Sequence, residues 1–335
     1  MTRARLARAA LAATVEAVWR RALRGPLRPS WSFRFEVAVG GLRRYARWAM
    51  SQPLPELRQA WEALATPALP GVVREVAPLE GLRAEWFVPP AVRRAEAPDE
   101  GPVVLYLHGG AYVWGSLDSY AELLSRLAIA ARARVLAIEY RLAPEHPCPA
   151  AHDDALAAYR WLLAQGVAAE RVVVAGDSAG GNLTLALALR LVREGLPLPR
   201  GLALLCPWVD LDRQGGSLEA HATTDWMTAD QIRPWVSRYY PQGSPREPLA
   251  SPLYADLRGL PPTLVQVGTA ELLLDQVREL GAALAAAGVP HQLTEYVDMV
   301  HDWHVFAGMF PACGRAITEV GRFVRDPASV VAPRG

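Results

Sequence analysis

From residue 72 onward the chain alternates short apolar runs with longer stretches of helical composition. Extended segments are predicted at 72–76 and 82–88, and a continuous apolar run, Val103-Val104-Leu105-Tyr106-Leu107, reads as a strand buried on both faces. Further strands are predicted at 134–139, 172–175, 202–205, 264–267 and 292–296, with helices at 150–165, 179–193, 272–287 and 312–325. Strands and helices in alternation make a mostly parallel eight-stranded sheet with helices on both faces, an α/β fold whose chemistry belongs in the loops at the carboxyl ends of the strands.

Two regions depart from this rhythm. Residues 1–50 read as helical, broken near Gly25-Pro26 and Arg28-Pro29-Ser30, and a further helix is predicted at 55–65. Residues 89–101 are rich in Pro, Glu and Ala and read as a surface loop. The second departure is an insertion at 208–257 carrying Trp226, Met227, Trp235, Tyr239 and Tyr240 among several prolines. An aromatic helical excursion above the active edge of a sheet predicts a lid. The chain is thus expected to be one domain over 1–335, its core 66–207 and 258–335, its cap 1–50 plus 208–257.

Composition narrows the function. The 335 residues are 51% hydrophobic and 21% charged, as in globular proteins, and the net charge of +1 offers no bulk field for nucleic acid or anionic lipid. A small, neutral or apolar substrate fits better. Lysine is absent, and nothing functional follows from that. Cys148, Cys206 and Cys313 form neither a disulfide framework nor a metal-binding spacing, which favours a reducing, cytoplasmic setting and predicts no metal and no cofactor. The N-terminus has basic flanks, but Arg8 and Glu16 interrupt its apolar stretch, so it reads as an amphipathic helix, with a targeting segment as the alternative; no run is long enough for a membrane span.

The decisive stretch is Val172-Val173-Val174-Ala175-Gly176-Asp177-Ser178-Ala179-Gly180-Gly181, a strand, a tight turn and a helix start. In Gly176-x-Ser178-x-Gly180 the glycines allow a strained reversal that lifts the serine hydroxyl above the sheet edge at a helix N-terminus. The strand at 103–107 ends in His108-Gly109-Gly110-Ala111-Tyr112, whose backbone N–H groups could stabilise a developing oxyanion. Either motif alone would pass as a turn or a helix cap. Together they predict acyl transfer, with Gly109, Gly110 and Ala179 as oxyanion donors.

His108-Gly109-Gly110-Ala111, Tyr140-Arg141-Leu142-Ala143-Pro144-Glu145-His146-Pro147 and Gly176-Asp177-Ser178-Ala179-Gly180-Gly181, continued by Ser251-Pro252-Leu253-Tyr254 and Leu260-Pro261-Pro262, closely resemble the hormone-sensitive-lipase-like branch of the α/β-hydrolases, serine carboxylesterases of the bacterial family IV type. The resemblance covers roughly residues 70–325 and implies an α/β-hydrolase fold and a triad in the order serine, acid, histidine. Glu271, directly after the strand at 264–267, is the expected acid; this departs slightly from the family, where aspartate is commoner, and Asp275 is the alternative. His301 matches the family's base and His304 is its competitor, while histidines 146, 152, 221 and 291 read as loop or surface residues. His108 and Asp177 are expected to support the loops, and 140–146 to hold the loop beneath the site. The expected substrate pocket is Tyr112, Trp114, Trp208, Trp226, Met227 and Tyr239. The partner is then a small-molecule ester of short to medium chain, the protein a monomer or homodimer. A binding-only homologue, of the kind plant gibberellin receptors are, would have lost the histidine that His301 retains, and amidase or peptidase action would use the same triad.

Overall fold

Runs of five or six apolar residues can be strands only where both sheet faces are covered, and the structure places them there. The structure, a computed structural model, describes residues 2–94 and 100–329. Strands β1 (Val73–Ala77), β2 (Arg83–Val88), β3 (Val103–Leu107), β4 (Arg134–Glu139), β5 (Val172–Asp177), β6 (Gly201–Leu205), β7 (Thr263–Gly268) and β8 (His291–Tyr296) form one sheet in the order β1-β2-β4-β3-β5-β6-β7-β8. β1–β2 and β2–β4 pair antiparallel and the other neighbours pair parallel.

The helices are α1 (Thr2–Arg24), α2 (Phe33–Ala49), α3 (Leu54–Glu62), α4 (Pro90–Arg93), α5 (Ala121–Ala131), α6 (Ala150–Ala164), α7 (Ser178–Glu194), α8 (Ser217–Ala220), α9 (Ala229–Tyr239), α10 (Leu274–Ala286) and α11 (Pro311–Arg325). Side chains alternate across the buried strands: Val103, Leu105, Leu107, Val172 and Val174 face the core shared with α6, α7 and α10. Val104, Tyr106, Val173 and Ala175 face the core shared with α5 and α11. The sequence reading leaves α5 unassigned, although Leu123, Leu124, Leu127, Ala128 and Ala131 bury one helical face. Of the loop expected at 89–101, residues 90–93 form the single turn α4, while 95–99, like residues 330–335 of the expected core, lie outside the described residues.

β3 is the switch point. The chain leaves it for β4 on one side and returns to β5 on the other, which opens a crevice at the carboxyl ends of β3 and β5. The register Leu107↔Gly176 and Asp177↔Leu205 brings the ends of β3, β5 and β6 level at that edge.

The N-terminal helices dock onto this edge. α1 packs closely on α2, so that a Cβ on Gly40 would lie 3.2 Å from Ala13 Cβ. Polar contacts fasten the arm elsewhere: Trp31 Nε1 donates to the Asp298 carbonyl (2.6 Å), the Ser30 hydroxyl to Asp298 Oδ2 (2.9 Å) and Arg43 Nε to the Asp225 carbonyl (2.7 Å), and Arg28 lies 3.0 Å from His221 Nδ1.

Candidate active site

The turn from β5 into α7 holds Ser178 with φ +51°, a left-handed conformation unfavourable for serine and stored where a side chain must be aimed. Glycine at 180 is a steric necessity there: a Cβ would sit 2.0 Å from the Leu107 carbonyl oxygen and 2.5 Å from that of His108. The end of β3 therefore runs directly against the serine turn.

His301 Nε2 lies 2.9 Å from Ser178 Oγ, and its Nδ1 lies 3.4 Å from Glu271 Oε1. Glu271 is fully buried and its Oε2 accepts the Gly268 N–H at 2.8 Å, which fixes the carboxylate at the end of β7. Asp275 sits elsewhere, accepting the Ser217 N–H at 2.7 Å. His304 is turned into the core, with Nε2 2.9 Å from Gln266 Oε1, and burial lowers it to about 3.

A second carboxylate, absent from the sequence expectations, reaches the same ring: Asp302 Oδ2 lies 3.2 Å from His301 Nε2. Burial opposes charge on the His301 ring, but Asp302 and Glu271 together outweigh it and hold the imidazole well above its ordinary value. Cys206, at the end of β6, completes a compact donor set, since its Sγ, a Glu271 oxygen and a His301 nitrogen lie within 4.8 Å of one another. Such a set could ligate a soft metal only after deprotonation, and burial pushes the Cys206 thiol well above its ordinary value.

The loop after β3 departs from expectation at Gly109. Its N–H donates to Asp177 Oδ1 at 3.0 Å, so that amide is committed inside the loop and is not available to an oxyanion. Asp177 also accepts the hydroxyls of Tyr106 (2.7 Å, Oδ1) and Tyr120 (2.7 Å, Oδ2), and burial with the nearby Asp302 raises it to about 7. The next two amides, Gly110 and Ala111, and that of Ala179, have no hydrogen-bond partner among the described residues. His108 braces the loop: Nδ1–H donates to the Gly109 carbonyl (2.7 Å), burial lowers the ring to about 4, and Tyr140 stacks on it at 4.3 Å while donating its hydroxyl to the His108 carbonyl (2.6 Å). The 140–146 segment thus buttresses the loop.

Nothing in the local sequence marks Asp225, yet it grips both loops. Its Oδ1 accepts the N–H of His301 (3.1 Å) and of Trp226 (2.7 Å), and its Oδ2 accepts the N–H of Leu272 (2.8 Å). Trp226 Nε1 in turn donates to the His301 carbonyl at 2.6 Å, so one dipeptide of the insertion holds both backbone polar groups of His301. Burial pushes Asp225 up to about 7, against the opposing pull of His301.

The expected pocket residues divide. Trp226 lies beside His301 (6.0 Å between ring centres), and Trp61, which the sequence reading did not single out, stacks on Trp114 (5.8 Å) and meets Trp226 edge-on (5.6 Å). Trp208 and Met227 are buried, and the Trp208 N–H donates to the Ser178 carbonyl. Tyr112 and Tyr239 are core residues instead. Their rings stack on each other at 3.8 Å, and their hydroxyls engage Asn182 (2.7 Å) and His152 (2.7 Å), leaving neither a free face nor a free hydroxyl for substrate. His152 is accordingly buried, not a surface residue.

With this geometry in place, the sequence matches a family described as alpha/beta hydrolase fold over residues 104–305, more than half of the chain. The chain belongs to the α/β-hydrolases. Within them it sits among the hormone-sensitive-lipase-like esterases: a crystal structure of an esterase from the bacterial hormone-sensitive lipase family is similar with TM-score 0.79 and 40% identity, covering 85% of this chain and 96% of that one. A structure of EstE5 soaked with p-nitrophenyl butyrate has TM-score 0.79 and 36% identity, covering 86% and 98%. An acetyl-hydrolase of Streptomyces hygroscopicus is 44% identical over 244 residues, 72% of this chain and 79% of the relative. A carboxylesterase/phospholipase, LipF, of Mycobacterium tuberculosis is 35% identical over 264 residues, 76% and 70%. This α/β-hydrolase is a carboxylic ester hydrolase.

Proposed function

We propose that ester cleavage runs through Ser178 as nucleophile, His301 as general base and Glu271 as the acid that orients it. The observation that carries this is the 2.9 Å contact between His301 Nε2 and Ser178 Oγ, with the opposite ring nitrogen turned to a buried carboxylate. His301 takes the hydroxyl proton as Oγ attacks the ester carbonyl, then returns it to the departing alcohol. Water, deprotonated by the same nitrogen, cleaves the acyl-enzyme. The oxyanion is held by the amides of Gly110, Ala111 and Ala179, with Ala111 in the role first expected of Gly109.

The aromatic wall of Trp61, Trp114 and Trp226 beside His301 supports an apolar acyl group of short to medium length. Residues 1–50 and 208–257 act together as a cap, a reading supported by the bond from Arg43 to Asp225 and the contact between Arg28 and His221. Three buried, unpaired thiols favour a reducing, cytoplasmic setting. The test is a series of p-nitrophenyl esters of rising chain length with wild type and Ser178→Ala, and the matching nitroanilides to separate ester from amide cleavage. Hydrolysis by wild type that fades with chain length and vanishes in Ser178→Ala is expected; retained hydrolysis in the variant overturns the assignment.

A further inference from the structure

α1 is apolar on the side that faces away from the protein. Ala13 and Ala17, each 3% exposed, face α2, whereas Leu11 (66% exposed), Val15 (51%), Val18 (52%), Trp19 (66%) and Leu23 (74%) stand in solvent. At 100° per residue, positions 11, 15 and 18 lie on one line along the helix, with 19 and 23 beside it. The stripe has no cover among the described residues. Side chains this large are ordinarily exposed singly; a row of five on one helix marks a surface made to be covered.

Charge says by what. Residues 1–50 hold eleven arginines against Glu16 and Glu36, a net +9 in a chain whose total is +1, so the rest carries −8. The near-neutral total conceals a polarised molecule. Part of the basic charge is used internally, Arg21 pairing with Glu36 and Arg44 with Glu16. Arg8, Arg24, Arg34 and Arg47 are exposed and have no ion pair among the described residues. Arg8 and Arg24 bracket the apolar stripe on α1 itself.

We propose that α1 is a docking helix for an anionic lipid surface, lying in the interface with Leu11, Val15, Val18, Trp19 and Leu23 among the acyl chains and the arginines among the headgroups. A basic helix with one apolar, tryptophan-bearing face has the composition of helices that lie on membranes. Its 23 residues, about 34 Å long, are not apolar enough to cross one. A second copy of the chain is a poorer fit to the stripe: two such arms brought face to face would oppose like charges, while an anionic bilayer neutralises them.

The test is flotation of the full chain with phosphatidylcholine vesicles containing or lacking phosphatidylglycerol, at low and raised salt. Wild type is expected to float with the anionic vesicles, to bind neutral vesicles at least tenfold more weakly, and to be released by salt. Arg8→Ala and Arg24→Ala should each weaken binding by about fivefold. The triple variant Val15→Ser/Val18→Ser/Trp19→Ser should lose at least tenfold while cleaving p-nitrophenyl butyrate as wild type does in vesicle-free buffer, which shows that it is folded. Equal flotation of the triple variant, equal binding to neutral vesicles, or no flotation of wild type overturns the proposal. So does a dimer in analytical ultracentrifugation that the triple variant dissociates, since the stripe would then be covered by a second copy.

Discussion

Replacing Gly109 by alanine tests how tightly the proposed oxyanion loop is held against Asp177. A Cβ there would lie 2.2 Å from Asp177 Oδ2, 2.9 Å from the Tyr120 hydroxyl and 3.0 Å from the Asp177 carbonyl oxygen. Ordinary contact begins near 3.4 Å, so the shortfall against the carboxylate is 1.2 Å. Asp177 cannot yield, because Tyr106 and Tyr120 pin it in full burial, so the loop must. That movement breaks the bond from the Gly109 N–H to Asp177 and carries Gly110 and Ala111 with it. Overpacking costs about 1–3 kcal/mol and a lost bond to a carboxylate about 1.5–3 kcal/mol, so Tm should fall clearly. A displacement on this scale should lower kcat by about 10²–10³, with KM little changed because the aromatic wall is untouched. Steady-state kinetics on p-nitrophenyl butyrate and a thermal melt measure both. A variant that turns over and melts like wild type would show that the loop has slack, and the oxyanion reading would fail.

Three further outcomes are expected. In the proposed mechanism neutral His301 acts as the base, and Asp302 and Glu271 keep it protonated up to a pH above the ordinary imidazole range, so kcat/KM should fall as pH drops through that raised value; Asp302→Asn should move the acid limb to lower pH, and an unmoved limb refutes the role of Asp302. Asp225→Asn cannot accept from the amides of both His301 and Leu272, so kcat should drop by about 10²-fold at near-constant KM; a change confined to Tm would make Asp225 merely structural. Tyr112→Phe removes the bond to Asn182 and should cost about 1 kcal/mol in denaturant unfolding while leaving acyl-chain preference unchanged; an altered preference would return Tyr112 to the pocket.

The strands are legible because their apolar runs end at turn residues, and Ser178, Glu271 and His301 stand out as candidates because each lies shortly after a strand, one, three and five residues past the ends of β5, β7 and β8, where position limits the choice. Gly109 was misassigned for a reason that a linear pattern cannot reveal: its amide faces Asp177, which is distant in sequence and adjacent only through the β3–β5 register. Tyr112 and Tyr239 look like pocket aromatics until their mutual stack is seen. Asp225 carries no motif, since its role depends on three backbone amides in separate segments. The polarity of the N-terminal arm was written in the sequence, but a charge total hides it.

The grip on His301 has a consequence for redesign. Asp225 and Trp226 belong to the insertion between β6 and β7, not to the sheet, so the scaffold presents an imidazole whose alignment is set by the most variable kind of segment. Exchanging that segment for a relative's, in pursuit of new selectivity, would transplant turnover along with taste, and chimaeras that ignore this dipeptide would bind their new esters without cleaving them.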